Sequence, residues 1–253
     1  MKKSWVMGIV VGLVVLALAS RTTATDMKGK FGIGGNIGYA MMNIHGVNDW
    51  YDVADEHSDL FGWTTESTYD LKGGMSYLGE VKYGISSNLA LTGSVGILSS
   101  KGKYTATGPT DVAMDDKVSA TFFGAGVLYI LPSGRENVNL SFGGGADYYT
   151  VKYEENLAEN GTVKERRAEG SEIGFHLRGG VEVFLTEKIA IGGSIVYRIA
   201  KLEEIETKKD DWGISPEGQP LKVYTDPWFV DTENLEINLG GINAYVTIYL
   251  YFG

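Results

Sequence analysis

The chain has 253 residues, with 32 acidic against 22 basic side chains, 35 glycines and no cysteine. That acidic balance disfavours nucleic acid as a partner, and the lack of cysteine excludes both a disulfide framework and a lipid-attached cysteine. The glycines follow no collagen-like period and fall inside segments that alternate apolar with small or polar residues.

Residues 1–24, MKKSWVMGIVVGLVVLALASRTTA, open with two lysines, continue as an apolar run from Trp5 to Ala19 and close in a short polar stretch. This is the pattern of a secretory signal peptide, and the run is shorter than the about 20 residues a spanning helix needs. Cleavage is expected after Ala24, with Ala19 as the alternative, leaving 25–253 as one domain. Losing Lys2, Lys3 and Arg21 takes the formal charge from −10 to −13.

Eight segments beyond it alternate with a period of two and predict strands: 30–42, 73–85, 88–102, 117–131, 138–153, 170–185, 188–202 and 236–252. In the first, Phe31, Ile33, Ile37, Tyr39 and Met41 oppose Gly32, Gly34, Asn36, Gly38 and Ala40. In the sixth, Ile173, Phe175, Leu177, Val181, Val183 and Leu185 oppose Glu172, Gly174, His176, Arg178, Gly180 and Glu182. Tight turns are expected at Ser86-Ser87-Asn88, from Pro132 to Asn137 and at Thr186-Glu187-Lys188. The longer connections are 43–72, 103–116, 154–169 and 203–235. Short and long gaps alternate, so antiparallel neighbours place all short turns at one end and all long loops at the other. The expected fold is an all-β, eight-stranded antiparallel up-and-down transmembrane barrel, closed so that no strand edge meets hydrocarbon.

Face composition decides which parity meets lipid. Glu80, Lys82, Asp147, Arg178, Glu182 and Arg198 all oppose the bulky apolar parity, as expected when a charge toward lipid at mid-depth costs about 2 to 4 kcal/mol. The other all-β reading is a secreted, soluble lipocalin-like barrel with a ligand inside. It would turn the Gly, Ala, Ser, Thr and Asn face outward, a poor aqueous exterior, whereas small residues suit a narrow lumen. The six charges are expected to form an ion-pair network filling the lumen, or else the gate of a narrow conduit.

The loops carry the remaining candidates. The first holds His45, Asp49, Asp52, Asp55, Glu56, His57, Asp59, Glu66 and Asp70 without the Asp-x-Asp-x-Asp-Gly spacing of a calcium loop, so neither metal nor cofactor is expected. Trp50, Trp63, Trp212 and Trp228 are candidates for recognition by the loops, the last two among Pro216, Pro220 and Pro227. Tyr39, Tyr83 and Tyr129 are candidates for the interfacial belt. Asn160-Gly161 signals a hairpin turn that brings Glu154 and Glu155 opposite Arg166 and Arg167. No phosphate-binding loop, zinc spacing or nucleophile elbow occurs, so no catalytic residue is assigned and an enzyme is not expected.

The strand, turn and Gly-rich strand FFGAGVLYILPSGRENVNLSFGGGADYY and the closing alternation Val246, Ile248, Leu250, Phe252 carry a resemblance. Over residues 28–253 the chain resembles the small eight-stranded outer-membrane β-barrel superfamily, the OmpA-type transmembrane domains with their OmpW-like and opacity-type relatives. Members commonly end on the aromatic residue, whereas Gly253 follows Phe252 here. The resemblance implies a Gram-negative outer membrane, periplasmic barrel termini, and outer-membrane lipid, lipopolysaccharide and the barrel assembly machinery as partners. A structural or surface-interaction role through four long extracellular loops is expected, with an extracellular partner for those loops. The OmpW-like side implies a narrow, porin-like channel for ions or small solutes instead.

Overall fold

The computed structural model describes residues 26–45, 47–48, 58, 62, 64–67, 71–109, 111–131, 137–224 and 231–253. Among them, eight long strands form an all-β, barrel-type fold: β1 Phe31–Met41, β2 Gly73–Gly84, β3 Leu89–Thr107, β4 Val112–Leu131, β5 Val138–Glu159, β6 Thr162–Phe184, β7 Ile189–Ile199 and β8 Gly241–Phe252. Each pairs antiparallel with its neighbours in the chain, and β8 also pairs with β1. The ladder can be walked from partner to partner. From Ala40 it passes through Asn243, Val196, Arg178, Gly143, Leu128 and Ala90 to Gly84. Gly84 N–H donates to Lys30 C=O at 3.0 Å, so the walk re-enters beside the start of β1 rather than at Ala40.

The two parities separate as the alternation requires. Ile33, Ile37, Val81, Val95, Phe123, Leu177, Ile195 and Ile248 are exposed on the outer wall, while Asn36, Glu80, Lys82, Asp147, Glu182 and Arg198 are buried inside it. A wall with that many exposed large apolar side chains on one face has no aqueous rationale.

Strands β3 to β6 run well past this apolar wall. Of the connection 103–116, expected as a loop, residues 103–107 and 112–116 are instead strand. Alternation persists there, with Tyr104, Ala106, Met114 and Asp116 buried and Lys103 and Asp115 exposed. Its outward residues become polar, so a search for apolar-outward strands stops too soon. The hairpin expected between β5 and β6 is present: Asn160 and Gly161 take φ of 47° and 77°, as a two-residue hairpin turn demands.

Short strands build a head on these extensions. Thr64–Ser67 adds to β3 and Glu206–Asp210 to β6, while Lys222–Tyr224 pairs with Thr232–Asn234. Lys201–Leu202, Glu236–Asn238 and Asn43–His45 form a separate three-stranded sheet that prolongs β7, β8 and β1. The spans 188–202 and 236–252, expected unbroken, are thus interrupted at Ala200 and at Leu239 and Gly240. Gly241 has φ of 134°, a conformation that L side chains rarely adopt, and marks the break in β8. An apolar core that includes Leu98, Tyr104, Val118, Leu202, Leu221, Leu235 and Ile237 fills the head. A smaller one of Met27, Ala90, Ile130, Phe184 and Ala190 lies at the short-turn end, where Tyr249 and Tyr251 join it.

Candidate functional site

Space inside the wall is created by glycine and filled by tyrosine. Gly32 faces Tyr251 and Gly34 faces Tyr249 across β1 and β8, and a Cβ at either glycine would run into the opposing ring. The rings therefore lie across the lumen, and their hydroxyls reach the charged residues. Lys82 forms an ion pair with Glu182, whose other oxygen accepts a hydrogen bond from the Tyr251 hydroxyl at 2.6 Å. Arg178 forms an ion pair with Glu80 and donates to the Tyr249 hydroxyl at 3.1 Å, and that hydroxyl donates to Glu80. Lys82 Nζ also sits 4.3 Å from the Tyr249 ring centre, which joins the four charges and two tyrosines into one assembly. Both ion pairs link β2 to β6, strands on opposite sides of the ladder, so each crosses the interior rather than running along one wall.

The other two candidates stand apart. Asp147 contacts His176 Nδ1 at 2.7 Å and accepts from the Tyr149 hydroxyl at 3.1 Å. Arg198 donates to Asn243 Oδ1 at 2.8 Å, while its Nε and Nη1 have no partner among the described residues. The sequence expectation of one six-membered network therefore resolves into four joined charges and two separate ones. Sequence reasoning missed the inward tyrosines. The available signal was that Tyr245, Tyr249 and Tyr251 occupy the parity opposite Ile248, Leu250 and Phe252, where small residues were expected.

A second buried polar cluster lies in the head, beyond the apolar wall. Tyr153 Oη is 2.7 Å from both Asp116 Oδ1 and Glu155 Oε2. Arg166 approaches Glu155 at 3.3 Å and Asp210 at 3.4 Å, and donates to the Lys222 carbonyl. Burial and the neighbouring Glu155 carboxylate raise the Asp116 pKa well above its ordinary value.

Of the four tryptophans, Trp212 is half-buried against the head core, with the Arg166 guanidinium 4.9 Å from its ring centre and Tyr224 at 6.4 Å. Trp50, Trp63 and Trp228 lie outside the described residues, as do Asp49, Asp52, Asp55, Glu56, His57, Asp59, Asp70 and the whole of 1–24. Tyr83 and Tyr129 are exposed on the outer wall near the short turns. No group of three side chains able to hold a metal occurs among the described residues.

Residues 10–217 match the family described as Outer membrane protein beta-barrel domain. No curated protein sequence matches significantly. Among solved structures, the chain is similar to the outer membrane protein OprG from Pseudomonas aeruginosa, with TM-score 0.52 and 12% identity over 90% of this chain and 98% of that one. Ail, the attachment invasion locus protein of Yersinia pestis, aligns with TM-score 0.42 and 14% identity over 89% of this chain and 100% of that one. The N-terminal β-barrel domain of Pseudomonas aeruginosa OprF aligns with TM-score 0.39 and 9% identity, covering 89% and 98%.

Proposed function

The chain belongs to the Outer membrane protein beta-barrel domain family, and from that premise we propose that its eight long strands close into a transmembrane barrel with a structural and surface-interaction role rather than an open pore. The shift from Ala40 to Lys30 around the ladder supports closure with a tilt of about 40° and a backbone diameter of about 16 Å, from the usual rise and strand spacing. Residues 1–24 act as a signal peptide in this reading, with the short turns and both termini of 25–253 in the periplasm. The head stands outside the cell on β3 to β6, and the apolar wall meets lipid. Barrel assembly machinery inserts the chain, and the loops contact an extracellular partner.

The observation that carries the non-conducting reading is the filling of the lumen. Met27, Ile130 and Phe184 occupy its lower end, two ion pairs cross its middle and the apolar core of the head fills its upper end. An opening of about 16 Å between backbones leaves just enough room for such side chains. A lipocalin-like role would need the apolar parity inside, yet Ile37, Phe123 and Ile248 are exposed outside.

Planar-bilayer recording tests the proposal. Wild-type protein is expected to give no discrete conductance steps, and steady steps would overturn the structural reading. The narrow-channel reading draws on the charged contacts that cross the axis. It requires Arg178→Ala, which frees Glu80 and Tyr249, to raise conductance, and an unchanged trace counts against it.

A further inference from the structure

Among the described residues, Arg198 on β7 is the one buried cation held by no carboxylate. It is 3% exposed and donates through Nη2 to Asn243 Oδ1 at 2.8 Å, while Nε and Nη1 have no partner among the described residues. Asn243 donates its own Nδ2 to the Val196 carbonyl at 3.4 Å, which turns the amide oxygen toward the guanidinium. That oxygen supplies a dipole and not a charge. A buried charge without a counter-charge is costly, and folded chains pair such groups or bind an ion to them.

The strand register accounts for the missing acid. His176 on β6 is directly opposite Arg198, and Arg178 lies diagonally across the same ladder, opposite Val196. Diagonal positions on one face are within reach of long side chains, so Arg198 has a second guanidinium as its neighbour. Arg178 gives its Nη atoms to Glu80 and Tyr249, which engages Glu80, and its Nε also lacks a partner among the described residues. Asp147 is one strand farther away, on β5 opposite Gly174, and its Oδ2 takes the contacts of His176 and Tyr149. The imidazole strand thus lies between the Asp147 carboxylate and Arg198. Both inward acids of this level are engaged, and one positive charge remains.

Charge and room say what kind of anion answers it. A monovalent ion balances Arg198, whereas a divalent oxyanion would leave surplus negative charge in a low-dielectric interior. Toward the loops the space is closed by the apolar core of the head, which includes Ala200 and Leu202. Toward the short turns it is closed by the brace of Arg178, Tyr249 and Glu80. Gly241, directly opposite Arg198 on β8, brings no side chain into the gap. A carboxylate ligand would carry an organic substituent into this enclosure, but a halide is a single atom.

We infer that Arg198 holds a halide ion of the chloride class inside the barrel, contacted by its free Nε and Nη1, with Asn243 orienting the guanidinium. The ion is a resident counter-charge that completes the interior, not a permeant solute. The site rests on the closed-barrel reading above and adds to it a ligand and the residue that binds it.

Bromide, which replaces chloride and is located by its anomalous scattering, tests the site directly. Wild-type protein refolded into detergent in bromide, so that loading needs no exchange through a sealed wall, is expected to give crystals with an anomalous peak in contact with Arg198 Nε or Nη1. No peak there overturns the inference. In solution, heat-modifiable migration on a detergent gel gives a melting temperature. With gluconate as the replacing anion at fixed ionic strength, this temperature is expected to rise by about 3–5 °C for each tenfold increase in chloride. Arg198→Met should lose that dependence and Arg198→Lys should keep it. A wild type indifferent to chloride, or an Arg198→Met variant that responds as the wild type does, overturns the inference. So does a bromide peak without any response in solution, which would be an adventitious ion only. The peak is read on wild-type protein, so it decides the matter even where Arg198→Met does not fold. Absence of a heat-modifiable band in the wild type instead removes the closed barrel, and the halide site with it.

Discussion

Tyr153 places a hard constraint on its neighbours. A phenol carries one proton, yet its oxygen lies 2.7 Å from an oxygen of Asp116 and 2.7 Å from an oxygen of Glu155. It can donate to only one of them, so the other contact is satisfied when the second carboxyl holds a proton and donates to the phenol oxygen. Asp116 fits that part, since burial first and the Glu155 charge second raise its pKa well above 3.8. Between pH 3.8 and its folded pKa the native state keeps a proton that the unfolded chain has released. Stability contributed by this group is therefore full below pH 3.8 and falls as pH rises through the folded value. Asp116→Asn keeps a donor and cannot titrate. Thermal melts at rising pH above 3.8 should show the wild type losing stability and the variant nearly level. A variant that keeps the wild-type slope would assign the proton elsewhere. None of this was legible in the sequence, because Asp116 falls in a segment whose outward residues are Lys and Asp and which therefore resembles a loop.

The β5–β6 hairpin shows what can and cannot be read at the scale of an element. Asn160-Gly161 fixed the turn, and with it the register that sets Glu155 opposite Arg166 and Glu154 opposite Arg167. Only the first of these is an ion pair. Glu154 faces outward with a neighbour on each flank and pairs with Lys117 of β4, while Arg167 turns to Glu165 at 3.0 Å. The sequence could not foresee that Arg166 fastens the fourth connection. Its buried guanidinium reaches Asp210 and the Lys222 carbonyl and lies over Trp212, tying residues 206–224 to β6. Removing it leaves the buried Glu155 and Asp210 carboxylates without their cation, a loss of about 3–5 kcal/mol. Arg166→Ala should therefore loosen this connection and speed trypsin cleavage after the exposed Lys208 and Lys209 of the detergent-purified protein, with no change in its heat-modifiable gel shift. Equal cleavage rates in wild type and variant would mean that the Glu206–Asp210 strand is held by its backbone pairing alone.

For the whole molecule, parity was legible because lipid permits few exceptions: an outward charge at mid-depth is costly, so alternation stays clean for as long as the wall is in hydrocarbon. Partner choice was not legible. Lys82 and Glu182 are 100 residues apart in sequence and meet only because β2 and β6 face one another across the interior. This geometry makes the two ion pairs cross-braces, each opposing any change in the section of the wall. Lys82→Met leaves Glu182 buried with the Tyr251 hydroxyl alone, and about 3–5 kcal/mol should be lost, read as a lower temperature for the loss of the folded gel band. The double variant Lys82→Met/Glu182→Met removes both charges at similar volume and should recover most of that loss, since replacing a buried ion pair with apolar side chains is often neutral or stabilising. If the braces act independently, Arg178→Met should add its own cost in full to Lys82→Met. The Tyr249 ring beneath Lys82, with its hydroxyl bonded to Glu80 and Arg178, predicts otherwise. The combined loss should differ from the sum of the single losses by more than about 0.5 kcal/mol, because residues sharing one network do not add. Strict additivity would mean that the tyrosines separate the two pairs rather than join them.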